Sequence, residues 1–124
     1  MRRPAYDDQN IFARILRGEI PCDKVDECLH TLSFGDIKPQ ASVHILVIPK
    51  GPYVDMADFA AHASAEEQAA FIVALGRVAQ KMGVVKSGFR LIANTGQNGH
   101  QDVPHLHMRI LGGEPLGPMR PYPR

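Results

Sequence analysis

His105-Leu106-His107-Met108-Arg109-Ile110-Leu111, near the end of a chain of 124 residues, alternates nitrogen-rich and apolar side chains. Successive residues of an extended strand point to opposite faces, so Leu106, Met108 and Ile110 belong to a core while His105, His107 and Arg109 share the other face. Three such groups, spaced about 7 Å apart, repel one another when charged. An anion held among them relieves that repulsion. Just upstream, Asn94-Thr95-Gly96-Gln97-Asn98-Gly99-His100-Gln101-Asp102-Val103-Pro104 is a Gly-rich polar loop, whose backbone N–H groups can converge on a phosphate oxygen.

Working outward, Phe89 to Asn94 reads as a strand, and before it lies the clearest helix of the chain. Ser64-Ala65-Glu66-Glu67 is a capping box, Phe71, Leu75, Val78 and Met82 repeat on one helical face, and Gly83 is the stop. Val25 to Leu29, Thr31 to Asp36 and Val43 to Pro49 read as strands, the first two close enough for a hairpin. A short helix is expected from Asn10 to Arg17, with Ile11, Phe12, Ile15 and Leu16 at helical spacing and Gly18 as its stop. The order predicts an α+β domain: about five strands in a mainly antiparallel sheet, one long helix on one face and one short N-terminal helix. The face away from the long helix is then partly open, and a site belongs there.

Composition sets outer limits. With 44% apolar and 22% charged residues the chain suits one compact domain. Its net charge of +1, from 14 Lys and Arg against 13 Asp and Glu, supplies no overall cationic field for nucleic-acid or membrane-surface binding. No apolar run approaches the roughly 20 residues that span a bilayer. Met1-Arg2-Arg3-Pro4-Ala5-Tyr6-Asp7-Asp8 lacks the apolar centre of a signal peptide, which makes the cytoplasm the expected compartment. Cys22 and Cys28 are expected to be reduced thiols. The Pro-rich stretch from Gly112 to Arg124 is expected to be an extended tail.

Four readings of the His105–Arg109 segment remain open on these grounds: a solvated strand face, a metal site completed by His44, a pocket for a phosphate-bearing ligand, or that pocket with covalent chemistry at a histidine. Arg109 on the same face opposes a divalent cation, so charge favours the last two. For Asp36 the plain alternative is a turn acid before Pro39, and for Phe34 and Ile37 it is ordinary core. A buried structural histidine is the alternative for His44, while His30, His62 and His100 read as loop or surface residues.

The run Val103-Pro104-His105-Leu106-His107-Met108-Arg109-Ile110-Leu111-Gly112-Gly113 resembles the signature of the histidine-triad (HIT) superfamily. Ile11-Phe12, Gly18-Glu19-Ile20-Pro21, Phe34 to Ala41 and His44 to Lys50 resemble its Hint branch, in order. The resemblance spans residues 10–119, leaving 1–9 as an N-terminal extension and 120–124 as a tail. It implies a homodimer that binds purine nucleoside phosphates and hydrolyses a bond at the α-phosphorus through a nucleotidyl-histidine intermediate, with no cofactor. His107 is then similar to the nucleophile, His105 orients it through a backbone carbonyl, and His44 sits behind the pair. Asp36 resembles the acid that takes the ribose hydroxyls, and Ile11, Phe12, Phe34, Ile37 and Leu46 the apolar base slot. Asn94, Gln101 and the Val103 backbone are implied to hold phosphate oxygens.

Two positions depart from the pattern. The third triad histidine is Arg109, a guanidinium that clamps phosphate but does not release a proton. Some bacterial relatives also carry a C-x-x-C at the first helix and a histidine after the strand ending Ile-Pro-Lys, which form a zinc site. Here Asn10, Ala13 and Gly51-Pro52-Tyr53 stand in those places, so no metal is expected.

Overall fold

The computed structural model describes residues 3–119. Its elements are α1 (Ile11–Leu16), β1 (Lys24–Glu27), β2 (Thr31–Gly35), β3 (Val43–Pro49), α2 (Met56–His62), α3 (Ala65–Lys81), β4 (Phe89–Ala93) and β5 (Met108–Gly112). Five strands form one antiparallel sheet in the order β1-β2-β3-β5-β4, the expected α+β architecture. The C-terminal part of the expected tail, residues 120–124, lies outside the described residues.

Local chemistry sets the helix ends. Asn10 caps α1 by accepting the Ala13 N–H at 2.9 Å, and Gly18, at φ +79°, turns the chain out of it. Ser64 and Glu67 form the reciprocal capping box on α3. Asp55 caps α2, a helix that the sequence reading did not contain. Its seven residues span barely two turns, too few for a periodic apolar pattern to register.

The sheet is covered on both sides. Phe71, Ala74, Leu75, Val78 and Ala79 of α3 pack on Ile45, Val47 and Ile110, with Leu106, Tyr53 and Phe59 closing that core. Each large apolar side chain removed from water here contributes about 1.5–3 kcal/mol. On the opposite face Phe12 of α1 packs with Leu32, Phe34, Leu46 and Ile48, making a second, smaller core. β3 is apolar on both sides because it lies between the two layers. The α1 face is therefore partly filled, and what remains open lies between α1 and the C-terminal end of the sheet's polar row.

Candidate active site

The histidines do not sit on the sheet as alternation predicts. The ladder begins only at Met108, and His105 and His107, 0% and 3% exposed, are buried in the extended segment before it. The cause is where the backbone groups are used. The Leu106 N–H donates to the Tyr53 carbonyl at 2.8 Å, and the His105 carbonyl accepts from a side chain instead of a neighbouring strand. Extended geometry persists without a partner strand, so Leu106 still enters the α3 core while both imidazoles contact Phe12 on the other side.

His105 uses both ring nitrogens. Its Nε2–H donates to the Pro49 carbonyl at 2.8 Å, which leaves Nδ1 to accept the Tyr6 hydroxyl at 2.6 Å. Burial pushes its pKa down to about 4, against the Pro49 carbonyl, which favours the proton. The His105 carbonyl then accepts His107 Nδ1–H at 2.8 Å. That bond selects the tautomer of His107 whose Nε2 carries a free lone pair. Burial holds His107 below the ordinary histidine pKa; the His105 carbonyl opposes this and Arg109 adds to it. Phe12 meets the ring edge-on, centroid to centroid at 4.9 Å.

Arg109 stands on β5 opposite Leu46, and His44 lies two residues from Leu46 on β3, so all three share the α1 face. Gln40 N–H donates to His44 Nδ1 at 2.9 Å, leaving the Nε2–H side 3.3 Å from Asp36 Oδ2. Burial lowers the His44 pKa, with Asp36 opposing and Arg109 reinforcing. The buried Nε of Arg109 makes no hydrogen bond among the described residues. A donor left unpaired in this way costs stability until an acceptor arrives.

Beside this row is a cavity of about 250 Å³ lined by Ile11, Phe12, Phe34, Asp36, Ile37, Leu46, Asp102 and Val103, among others. Six of those are apolar, and Ile37 is 88% exposed at the mouth. It is a hydrophobic slot with one carboxylate at its rim and another beside His107. A larger hollow of about 520 Å³ lies near Pro21 and Cys22, but the charges within it, Lys24, Glu27 and Lys50, already pair with each other. Nothing of the histidine segment reaches it.

The structure thus brings together His44, His107, Arg109, Asp36 and the five expected slot residues. Asn94 and Gln101 are engaged in the loop. Asn94 Nδ2 donates to the Gly99 carbonyl at 2.7 Å, and its buried Oδ1 makes no hydrogen bond among the described residues. Gln101 donates to the carbonyls of Val54 and Val103 and accepts from Gly96 N–H, so its amide shapes the loop. His44, His105 and His107 do not converge as metal ligands, and among the described residues no group of three or more His, Cys, Asp or Glu is arranged to hold a metal ion.

Sequence reasoning passed over two residues. Tyr6, in the N-terminal extension, is tied to His105 across 99 positions, and no local pattern announces such a contact. Asp102 places Oδ1 3.5 Å from His107 Nε2 and 3.6 Å from the Arg109 guanidinium. An acid within a loop that leads into three nitrogen-rich side chains was the available signal.

Comparison with known proteins agrees with this fold. The HIT domain model matches residues 17–116. An uncharacterized 13.2 kDa HIT-like protein of Azospirillum brasilense is 55% identical over 114 residues, covering 92% of this chain and 93% of the relative. The purine nucleoside phosphoramidase of Escherichia coli is 42% identical over 114 residues, covering 90% and 93% respectively. The solved structure of a HIT family hydrolase from Clostridium thermocellum superposes with a TM-score of 0.83 at 32% identity, covering 90% of this chain and 96% of that one. With the fold, the histidine segment and these relatives in agreement, the chain belongs to the HIT domain family.

Proposed function

We propose that the protein is a cytoplasmic homodimeric hydrolase that cleaves at the α-phosphorus of purine nucleoside phosphoramidates, acyl-nucleotides or dinucleoside polyphosphates. One observation carries the reading: the His105 carbonyl holds His107 Nδ1–H, so the free Nε2 lone pair faces the space that Asp102 and Arg109 share at the edge of an apolar slot. The name of the Escherichia coli relative supports the substrate class.

In this reading the purine lies in the slot among Phe12, Phe34, Ile37 and Leu46, with Ile11 at its edge, and the ribose hydroxyls donate to Asp36. His107 Nε2 attacks phosphorus, a P–N bond forms, and the bond to the leaving group breaks with its electron pair going to that group. Water then attacks the phosphorus, the P–N bond breaks, and the released proton passes to solvent. Arg109, with the Val103 backbone, stabilises charge gathering on the phosphoryl oxygens. His105 and His44 orient the attacking ring and its surroundings.

The dimer reading rests on β4. It is an edge strand, and Phe89 and Leu91, 37% and 41% exposed, extend the α3-side apolar face beyond the strands that α3 covers. Pairing with a second copy covers both the unpaired backbone and that apolar row.

Arg109 favours a second reading, a nucleotide-binding protein without turnover, because a guanidinium does not protonate a leaving group. Mixing protein with an acyl-adenylate and analysing the quenched sample by mass spectrometry separates the two. The expected result is an adenylyl adduct on His107, absent in His107→Asn, and a burst of released carboxylate. Tight AMP binding without adduct or turnover selects the second reading, and no binding of either compound ends both.

A further inference from the structure

Resting on the nucleotide reading above, we infer that Asp102 makes this site select phosphorus centres bearing a single negative charge and disfavour the doubly charged monoester that hydrolysis leaves behind. The observation is a carboxylate where an anion is to be received. Asp102 Oδ1 lies 3.5 Å from His107 Nε2 and 3.6 Å from Arg109, the two groups that a phosphoryl oxygen must approach.

The local charge count makes this a matter of selectivity. The groups whose charges act on His107 are Arg109, Asp102 and Asp36. From α1 the cavity receives Ile11, Phe12 and Ile15, all apolar, and from β3 comes Leu46, with His44 buried beside Asp36 outside the lining. His105 is spent on Pro49 and Tyr6. One guanidinium therefore faces two carboxylates, and neutral imidazoles add nothing. Among the described residues such a site has no surplus cation to hold a second phosphate charge. A phosphoramidate, an acyl phosphate and a bridged polyphosphate each carry one negative charge at the α-phosphorus, whereas the product monophosphate carries close to two above a second pKa of about 6. Asp102 thus repels product more than substrate, and it favours release after the P–N bond is cleaved.

The test compares binding of AMP with binding of its 5′-O-methyl phosphate ester, which has the same base and ribose, one phosphate charge and a leaving group too poor to react. Titrations are run by calorimetry from pH 5 to 8 on wild type, Asp102→Asn and Asp102→Ala. The Asp102 side chain is 59% exposed and takes no hydrogen bond among the described residues, so both variants are expected to keep the wild-type melting profile. At pH 8 wild type is expected to bind the ester about tenfold more tightly than AMP, the low end for one added unit charge at this range beside solvent. That preference fades as pH falls through about 6 and AMP gains its proton. In both variants it is expected to shrink to within about twofold at every pH. A preference of the same size in wild type and variants, or none in wild type, overturns the role of Asp102 while leaving the nucleotide reading in place. Failure of both ligands to bind any of the three proteins overturns both.

Discussion

Tyr6 and His105, 99 positions apart in the chain, are joined by a 2.6 Å hydrogen bond from the tyrosine hydroxyl to Nδ1 of a fully buried imidazole. Because His105 Nε2–H is donated to Pro49, this bond completes the fixing of one ring orientation, and through its carbonyl His105 fixes the next ring. Tyr6→Phe removes the donor and leaves a buried acceptor unpaired. The expected cost is about 1–3 kcal/mol in a denaturant melt. An unchanged midpoint would show that the N-terminal residues do not support the site.

Buried neutral histidines also set a pH dependence. His105 binds its proton near pH 4 when folded and near 6.5 when unfolded, so above 6.5 the two states hold equal protons and the group is silent. As pH falls below 6.5 the unfolded state protonates first, and stability is lost until the folded pKa is reached. Over that window the loss attributable to His105 is about 3 kcal/mol, with His44 and His107 acting in the same direction. Urea melts from pH 7 to 4 check it, and His105→Asn is expected to be less stable at pH 7 but flatter across the window. Equal slopes in the two proteins would remove His105 as the source.

Arg109 predicts a division between substrates. In the proposed function a guanidinium, which keeps its proton, stands beside the reacting phosphorus, so acyl-adenylates, whose carboxylate leaves without a proton, are expected to turn over, and phosphoramidates of basic amines to react poorly. Arg109→His is expected to raise phosphoramidate turnover by about a hundredfold, within the usual range for general acid catalysis, and to change the acyl-adenylate rate little. Steady-state kinetics on both substrates decide it, and equal rates on both in both proteins would sink the assignment.

The edge strand offers a separate test. Leu91→Lys places a charge on the exposed apolar row of β4 without entering the core, so the fold is expected to survive. Sedimentation is expected to report a dimer for wild type and a monomer for the variant. A wild-type monomer would move the unpaired edge to some other use.

The elements read most clearly in the sequence are those stabilised by their own residues. The capping box at Ser64, the apolar stripe of α3 and the Gly83 stop are local interactions, and each appears where the spacing predicts. The alternation of Leu106 and Ile110 against His107 and Arg109 is equally local, because extended backbone alternates whether or not a neighbour pairs with it. The family, too, was legible in the order of short motifs from Ile11 to Gly113.

Other features depend on distant partners, which no window of sequence displays. β5 starts at Met108 because the backbone at Leu106 and His105 is committed to Tyr53 and to the His107 ring. Gln101 turns inward to the loop because Val54, Val103 and Gly96 present its hydrogen-bonding partners. The chain alone determined which side chains alternate and which helix caps itself, since those follow from bond geometry and near neighbours. Only the folded protein decided that His107 has a free nitrogen, that Tyr6 braces it through His105, and that Asp102 stands between it and Arg109. Each of these is a hydrogen bond or a Coulomb interaction that exists once packing has brought remote residues within a few ångströms.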